Sequence, residues 1–149
     1  MCRERTCCSS STTSCGICSV EEGIREVEAG IEKINNGLCD INEHNYCQGI
    51  KHVEEGLRLC ERGTNDINTG IGCSNFKIKC RETRDVEDGV CDVDSGSHCC
   101  KEGLECICNN DICVGVILIE DGLYDITEGL SEIVRACNHS KKCHKCRDN

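Results

Sequence analysis

Residues 16–42 read GICSVEEGIREVEAGIEKINNGLCDIN, and glycine recurs in this stretch at every seventh residue. An apolar residue follows each glycine directly and another lies three places further on, as Ile31 and Ile34 do after Gly30. Apolar spacings that alternate between three and four are typical of one face of an α-helix. In heptad letters the apolar pair takes positions a and d, and the glycine takes position g. The stretch therefore predicts a helix whose apolar seam is bordered by a row of glycines.

The same pattern recurs in three later segments of the chain. Glycines seven residues apart lie at 49–70, 89–103 and 115–129, and Ala136 continues the last series. We predict four helices, near residues 16–42, 47–72, 80–107 and 113–137. The first and third series are related by an offset of 66 residues, as are the second and fourth. The fold class that follows is all-α, with two tandem antiparallel helical hairpins, a 66-residue internal repeat, in one four-helix unit cross-linked by disulfides.

Glycine inside a helix costs about 1 kcal/mol relative to alanine, so a regular series requires a compensating contact. We predict that these glycines let the backbone of a second helix approach closely. A β-solenoid with glycine turns is the alternative fold, but its usual coil lengths do not fit a period of seven. The glycines predicted to make close helix contacts are Gly23, Gly30, Gly37, Gly56, Gly63, Gly96, Gly103, Gly122 and Gly129.

The chain divides into four predicted segments. Residues 1–15 form an arm rich in Cys, Ser and Thr, and residues 138–149 form a basic tail rich in Cys and His. Between them, residues 16–74 form the first hairpin and residues 75–137 the second.

Composition excludes several classes of protein. The net charge of −10 argues against a nucleic-acid partner, which requires clustered Lys and Arg. No stretch approaches the roughly 18 apolar residues of a membrane span, so we expect no membrane insertion. The first residues carry no apolar stretch, so we expect no classical signal peptide. Cysteine accounts for 19 of the 149 residues, above the roughly 8–10 per cent that marks a disulfide scaffold.

The helix frame sorts the cysteines into classes. Cys60, Cys100 and Cys137 take positions a or d and are predicted to be buried. The cysteines at positions b or c are predicted to face outward: Cys18, Cys39, Cys73, Cys91, Cys99 and Cys106. Because 19 is odd, at least one cysteine lacks a partner within the chain. Candidates for internal bridges, at position e beside the seam, are Cys47, Cys80, Cys108 and Cys113. Candidates for links between molecules are Cys2, Cys7, Cys8, Cys15, Cys18, Cys39, Cys91, Cys143 and Cys146.

Three features could carry other chemistry. The pair Cys15 and Cys18 has the spacing of a redox motif but lacks the βαβ context that such an enzyme requires. The acidic residues are predicted to lie on solvated helix faces, and no catalytic set of side chains is evident. We therefore expect no enzymatic activity and no cofactor. The alternative is a zinc site, for which the C-terminal ligand types are His139, Cys143, His144 and Cys146.

An acidic, cysteine-rich chain with the pairs Cys7-Cys8 and Cys99-Cys100 resembles the cysteine-rich proteins of bacterial endospore coats, exosporia and spore appendages. The resemblance implies synthesis in the mother-cell cytosol and later cross-linking into insoluble layers or fibres. The hypothesis is a structural subunit, outside the cell or on the spore surface, that is joined to copies of itself by disulfides in a filament or layer. A zinc- or copper-binding storage protein and a secreted, disulfide-rich helical effector are the alternatives.

Overall fold

The computed structural model describes the backbone of residues 12–73 and 80–148, and the side chains of residues 16–73 and 82–139. This part of the chain forms four α-helices: α1 (Thr12–Asn42), α2 (Tyr46–Ile71), α3 (Cys80–Cys108) and α4 (Ile112–Asp148). No strand occurs among the described residues. The prediction of an all-α fold with four helices is therefore confirmed.

The helix bounds differ from the predicted ones mainly at the C-terminus. Helix α4 continues to Asp148 instead of ending near residue 137, so most of the predicted basic tail is helical. No glycine or proline follows Gly129 to end the helix.

Two short turns of the same type close the hairpins. His44 and Asn110 both adopt a left-handed backbone, with φ of 69° and 70°. After each of them, the N–H of the next residue bonds a carbonyl five residues earlier, from Asn45 to Asp40 and from Asp111 to Cys106, at 2.8 Å in both turns. These bonds satisfy carbonyls that a helix end otherwise leaves unpaired. The two turns therefore reverse the chain in the same way, 66 residues apart.

Along the contact between the two helices of each hairpin, glycines of one helix lie against glycines of the other. A Cβ atom added at Gly30 of α1 would lie 2.6 Å from the carbonyl oxygen of Gly56 in α2, a distance that real Cβ atoms do not adopt. All nine glycines predicted at close contacts lie at positions of this kind. The facing pairs are Gly16–Gly70, Gly23–Gly63, Gly30–Gly56, Gly37–Gly49, Gly89–Gly129, Gly96–Gly122 and Gly103–Gly115.

The two hairpins pack side by side. Helix α1 contacts α4, and α2 contacts α3, in addition to the contacts within each hairpin. The middle of α2, from Glu54 to Glu61, lines one groove together with the last turns of α3 and the turn residue that follows, from Lys101 to Asn109. Both hairpin turns therefore lie at the same end of the bundle, which we call the turn end. The opposite end, where α1 and α3 begin and α2 and α4 finish, is the terminal end.

One apolar core connects all four helices. Its fully buried side chains include Ile34 of α1, Ile67 of α2, Val93 of α3 and Ile126 of α4. Many of these branched side chains also pack directly on a glycine of the facing helix, as Ile67 does on Gly23. Within the part of the chain that the structure describes, no helix has an apolar stretch long enough to cross a membrane.

Candidate functional site

The turn end of the bundle presents five cysteines. Cys39, Cys47, Cys108 and Cys113 are exposed, and Cys106 is half-buried. They lie on the last turns of α1 and α3 and the first turns of α2 and α4, within a few residues of the two chain reversals. Hairpin geometry therefore gathers thiols that are far apart in sequence.

Other cysteines lie along the sides of the bundle and at its terminal end. Cys18 near the start of α1, Cys73 after α2 and Cys137 in α4 are half-buried, and Cys91 on α3 is exposed. The remaining candidates for links between molecules lie outside the described side chains: Cys2, Cys7, Cys8, Cys15, Cys143 and Cys146.

Two thiols are sequestered in the core between the hairpins. Cys60 of α2 and Cys100 of α3 are both 0 % exposed. Burial raises the pKa of each thiol to about 12, because an apolar environment disfavours the thiolate. The thiolate is the nucleophile in disulfide exchange, so these two cysteines are chemically inert in the folded protein. The predicted burial is confirmed for these two residues, whereas it is wrong for Cys137, which is half-buried.

Cys99 is half-buried, and its accessibility is intermediate between that of the exposed thiols and that of the two core thiols. Its Sγ donates to the carbonyl oxygen of Leu118 at 3.3 Å. Partial burial raises the pKa of the Cys99 thiol, and the nearby carboxylates of Asp121 and Asp125 raise it further. Cys99 is therefore less reactive than a fully exposed thiol would be.

The internal bridges predicted at position e are absent from the described residues. Cys47, Cys108 and Cys113 are exposed free thiols, and the side chain of Cys80 lies outside the described part. Glycine contacts bring the helices of one hairpin together along position g. Position e lies on the other flank of the seam, where a groove separates α2 from α3 and where Cys108 is among the lining residues. In that groove Cys108 has no cysteine within bonding distance on α2.

Two pairs of carboxyl groups lie across helix contacts, a feature that sequence reasoning missed. Glu26 of α1 faces Asp66 of α2, and Glu132 of α4 faces Asp92 of α3. Burial, followed by the hydrogen bond and repulsion from Asp66, raises the pKa of Glu26 to about 7. The same causes raise the pKa of Glu132, with Asp92 as the partner. The two pairs are related by the 66-residue offset, so that offset could have identified the second pair from the first.

Glu82 is a third carboxyl group that was expected on a solvated face. It is 4 % exposed, and its Oε1 has no hydrogen-bond partner. Its Oε2 lies 3.2 Å from Nδ1 of the largely exposed His139. The 66-residue offset places Glu82 at the position that Gly16 holds in the first hairpin. The third glycine series begins at Gly89, one heptad after Glu82, and this missing glycine could have identified Glu82 as an exception.

The proposed zinc ligands are tested only in part. Among the described residues no group of three or more His, Cys, Asp or Glu side chains is arranged to hold a metal ion. His139 contacts Glu82, whereas Cys143, His144 and Cys146 lie outside the described side chains. The metal-binding alternative stays a prediction.

Comparisons of this chain with protein-family models, with curated proteins and with solved structures found no significant match.

Proposed function

We propose that this chain is a structural subunit that assembles with copies of itself through disulfide bonds. The observation that carries the proposal is the distribution of thiols in the folded bundle. Exposed thiols cluster at the turn end, whereas Cys60 and Cys100 are sequestered in the core. A fold stabilised by internal bridges would direct its cysteines toward one another. Here the turn-end thiols point away from the core and remain available to a second molecule.

The linking chemistry requires an oxidant, for which a small disulfide such as oxidised glutathione suffices. A thiolate of one copy attacks that disulfide and releases one small thiol. A thiolate of a second copy then attacks the mixed disulfide and releases the other small thiol. Overall, two protein thiols lose two electrons and two protons, and the small disulfide becomes two thiols. Exposure controls this chemistry, since a buried thiol neither ionises nor meets the oxidant.

The shape of the unit favours an open polymer over a closed oligomer. The turn end and the terminal end are different surfaces. When copies join through two different surfaces and do not form a closed ring, the product is a filament. Cys47, Cys108 and Cys113, first considered for internal bridges, therefore join Cys39 among the proposed links between molecules. The 66-residue offset relates the turns, the glycine pairs and the carboxyl pairs, and we attribute it to duplication of one hairpin.

The resemblance to spore-layer proteins supports a location for such a polymer. We propose that it forms outside the cell or on a spore surface, where oxidising conditions preserve disulfides. An insoluble layer or fibre is the expected product.

The proposal is tested with purified, reduced protein that is transferred to a buffer with oxidised glutathione. We expect a series of high-mass species on a denaturing gel that collapses to a 16.4 kDa band after reduction. Replacing the four exposed turn-end cysteines, 39, 47, 108 and 113, with serine should stop growth at small oligomers.

The matched control replaces the two buried cysteines, Cys60 and Cys100, with valine, which should leave the gel pattern unchanged. A wild-type protein that remains monomeric under oxidation would refute the proposal. Closed bridges within each molecule would favour the effector, and reduced thiols with stoichiometric metal would favour the storage protein.

A further inference from the structure

The C-terminal part of α4 projects beyond the rest of its hairpin. Gly89 of α3 faces Gly129 of α4, so the first residue of α3, Cys80, lies level with residue 138. Helix α4 nevertheless continues to Asp148. At a rise of 1.5 Å per residue, the extra ten residues extend about 15 Å past the start of α3.

This projection is strongly basic. Residues 139–148 read HSKKCHKCRD, with four basic side chains and a single acidic one. Cys143 and Cys146 belong to the same segment, three residues apart in the sequence.

At the opposite end of the bundle, the two chain reversals themselves carry acidic residues and no Lys or Arg. No Lys or Arg occurs in residues 34–50 or in residues 102–134, which include both turns. The acidic residues on either side of the two turns are Asp40, Glu43, Glu105 and Asp111. The molecule is therefore electrically polar along its length, with an acidic turn end and a basic projection at the terminal end.

A groove between the hairpins opens next to that acidic end. It lies between α2 and α3, has a volume of about 810 Å³ and includes the nearly buried Leu57 and Leu104. Glu54, Glu61 and Glu105 line it, together with Arg58 and Lys101. Cys108, an exposed free thiol, also lines the groove.

We infer that the basic projection of α4 in one copy docks in the α2–α3 groove of the next copy, where Cys108 forms a disulfide with Cys143 or Cys146. The inference rests on the proposed function and names the contact through which the polymer grows. Charge complementarity identifies the occupant, because the basic helix meets the acidic end of a second molecule. Bond formation transfers two electrons and two protons from the two thiols to oxidised glutathione, as above.

The contact explains why assembly continues in one direction. The groove and the projection are different surfaces at opposite ends of the bundle. Each added copy consumes one groove and presents a new one, so that the contact is heterologous and open. Steering by opposite charges speeds encounter and weakens with salt, because exposed charges are screened beyond about 10 Å at 0.1 M ionic strength.

The test follows polymer growth in oxidised glutathione and identifies the linked peptides by mass spectrometry. We expect a Cys108 peptide joined to a Cys143 or Cys146 peptide as the main product. Cys108→Ser should slow growth about fivefold or more, whereas Cys113→Ser, at the same end but outside the groove, should change it less than about twofold. Raising the salt concentration from 0.05 to 0.5 M should slow wild-type growth several-fold.

A charge exchange distinguishes docking from mere thiol proximity. Reversing Lys141, Lys142 and Lys145 to glutamate should slow growth onto wild-type copies. Mixing that variant with a second variant that carries Glu54→Lys and Glu105→Lys should restore the rate of polymer growth, because the acidic projection then meets a basic groove. The docking contact would be refuted if the growth rate did not depend on salt or on these charges and if the linked peptides did not include Cys108. The proposed function would be unaffected by that result. Absence of any polymer would instead refute the proposed function itself.

Discussion

At the scale of single residues, glycine determines how closely two helices of a hairpin approach. The backbone of Gly56 occupies the space in which a side chain at Gly30 would lie, and Cys60 Sγ borders the same space at 2.7 Å. Since the obstacle is partly backbone, a rotamer change cannot make room for a methyl group. Close approach therefore compensates for the low helix propensity of glycine.

Gly30→Ala should destabilise the bundle by about 2 kcal/mol or more, because overpacking outweighs the roughly 1 kcal/mol that alanine gains in helix propensity. Chemical denaturation of the reduced monomer measures this loss. Gly72→Ala is the matched control, since Gly72 ends α2 with ordinary helical φ and ψ and its nearest neighbour lies at 3.2 Å. Equal stabilities of the two variants would contradict the role assigned to the glycine contacts.

Burial predicts which thiols react. In the native, reduced protein at pH 8, iodoacetamide should modify Cys47, Cys91 and Cys113 at least tenfold faster than Cys60 and Cys100. The core thiols have a pKa of about 12, so their thiolate fraction at pH 8 is negligible. Peptide mapping after timed quenching gives the rates. In denaturant, the modification rates of these five cysteines should become similar. Rapid labelling of Cys60 in the native protein would contradict the prediction, because it would show that the core opens.

At the scale of paired helices, each hairpin contains one carboxyl pair that opposes its closure at high pH. Glu26 also faces Glu22 on its own helix and the partly compensating Arg62 on α2. Glu132 faces Asp88 in addition to Asp92, with Arg135 as the compensating charge. In each pair, a shared proton removes the repulsion between two carboxylates held across a helix contact.

The bundle should therefore be more stable at pH 5 than at pH 8. A raised carboxyl pKa contributes stability that is complete below the unfolded value of 4.5 and is lost as pH rises through about 7. Glu26→Gln should raise stability at pH 8 by about 1–2 kcal/mol, a discounted value for a partly exposed pair, and change it little at pH 5. Thermal unfolding at both pH values measures the difference.

Glu28→Gln is the control for this experiment, because Glu28 is exposed on the same helix and the substitution removes the same charge. A similar gain at pH 8 in the control would assign the effect to net charge and not to the pair. The equivalent comparison in the second hairpin uses Glu132→Gln and Glu128→Gln.

At the scale of the whole molecule, a single core makes the two hairpins one folding unit. The core cluster includes residues of all four helices, and no disulfide occurs among the described residues to hold them together. Apolar burial and close helix packing stabilise this described part of the bundle. The proposed cross-links between copies would then join units that are already folded.

The reduced monomer should consequently remain helical and unfold in one cooperative transition. Circular dichroism during heating, with and without excess reductant, provides the measurement on a variant that lacks the exposed turn-end cysteines. We expect unfolding temperatures that agree within about 2 °C, since ~1 kcal/mol corresponds to roughly 2–4 °C for a domain of this size. A large drop on reduction would reveal an internal bridge and support the effector alternative.

Much of the architecture could be predicted because it is periodic. The spacing of Gly23, Gly30 and Gly37 with their apolar neighbours was sufficient to predict four helices and their order. The burial of Cys60 and Cys100 followed from the same frame. The sequence pattern did not predict that residues 138–148 are helical. The glycine series ends before them, and their many polar and basic residues are typical of a terminal tail outside a helix.

The sequence by itself determined the helices, the glycine faces and the excess of thiols, because these depend on local spacing and composition. Only the tertiary structure decided that the hairpins lie side by side with both turns at one end. The same packing placed Cys39, Cys47, Cys108 and Cys113 at that end and left the e positions along an open groove. The pairing of Glu26 with Asp66 likewise arose from the packing of two helices. Such contacts depend on the register between helices that are distant in sequence. The shared core sets that register, and the sequence of a single helix does not specify it.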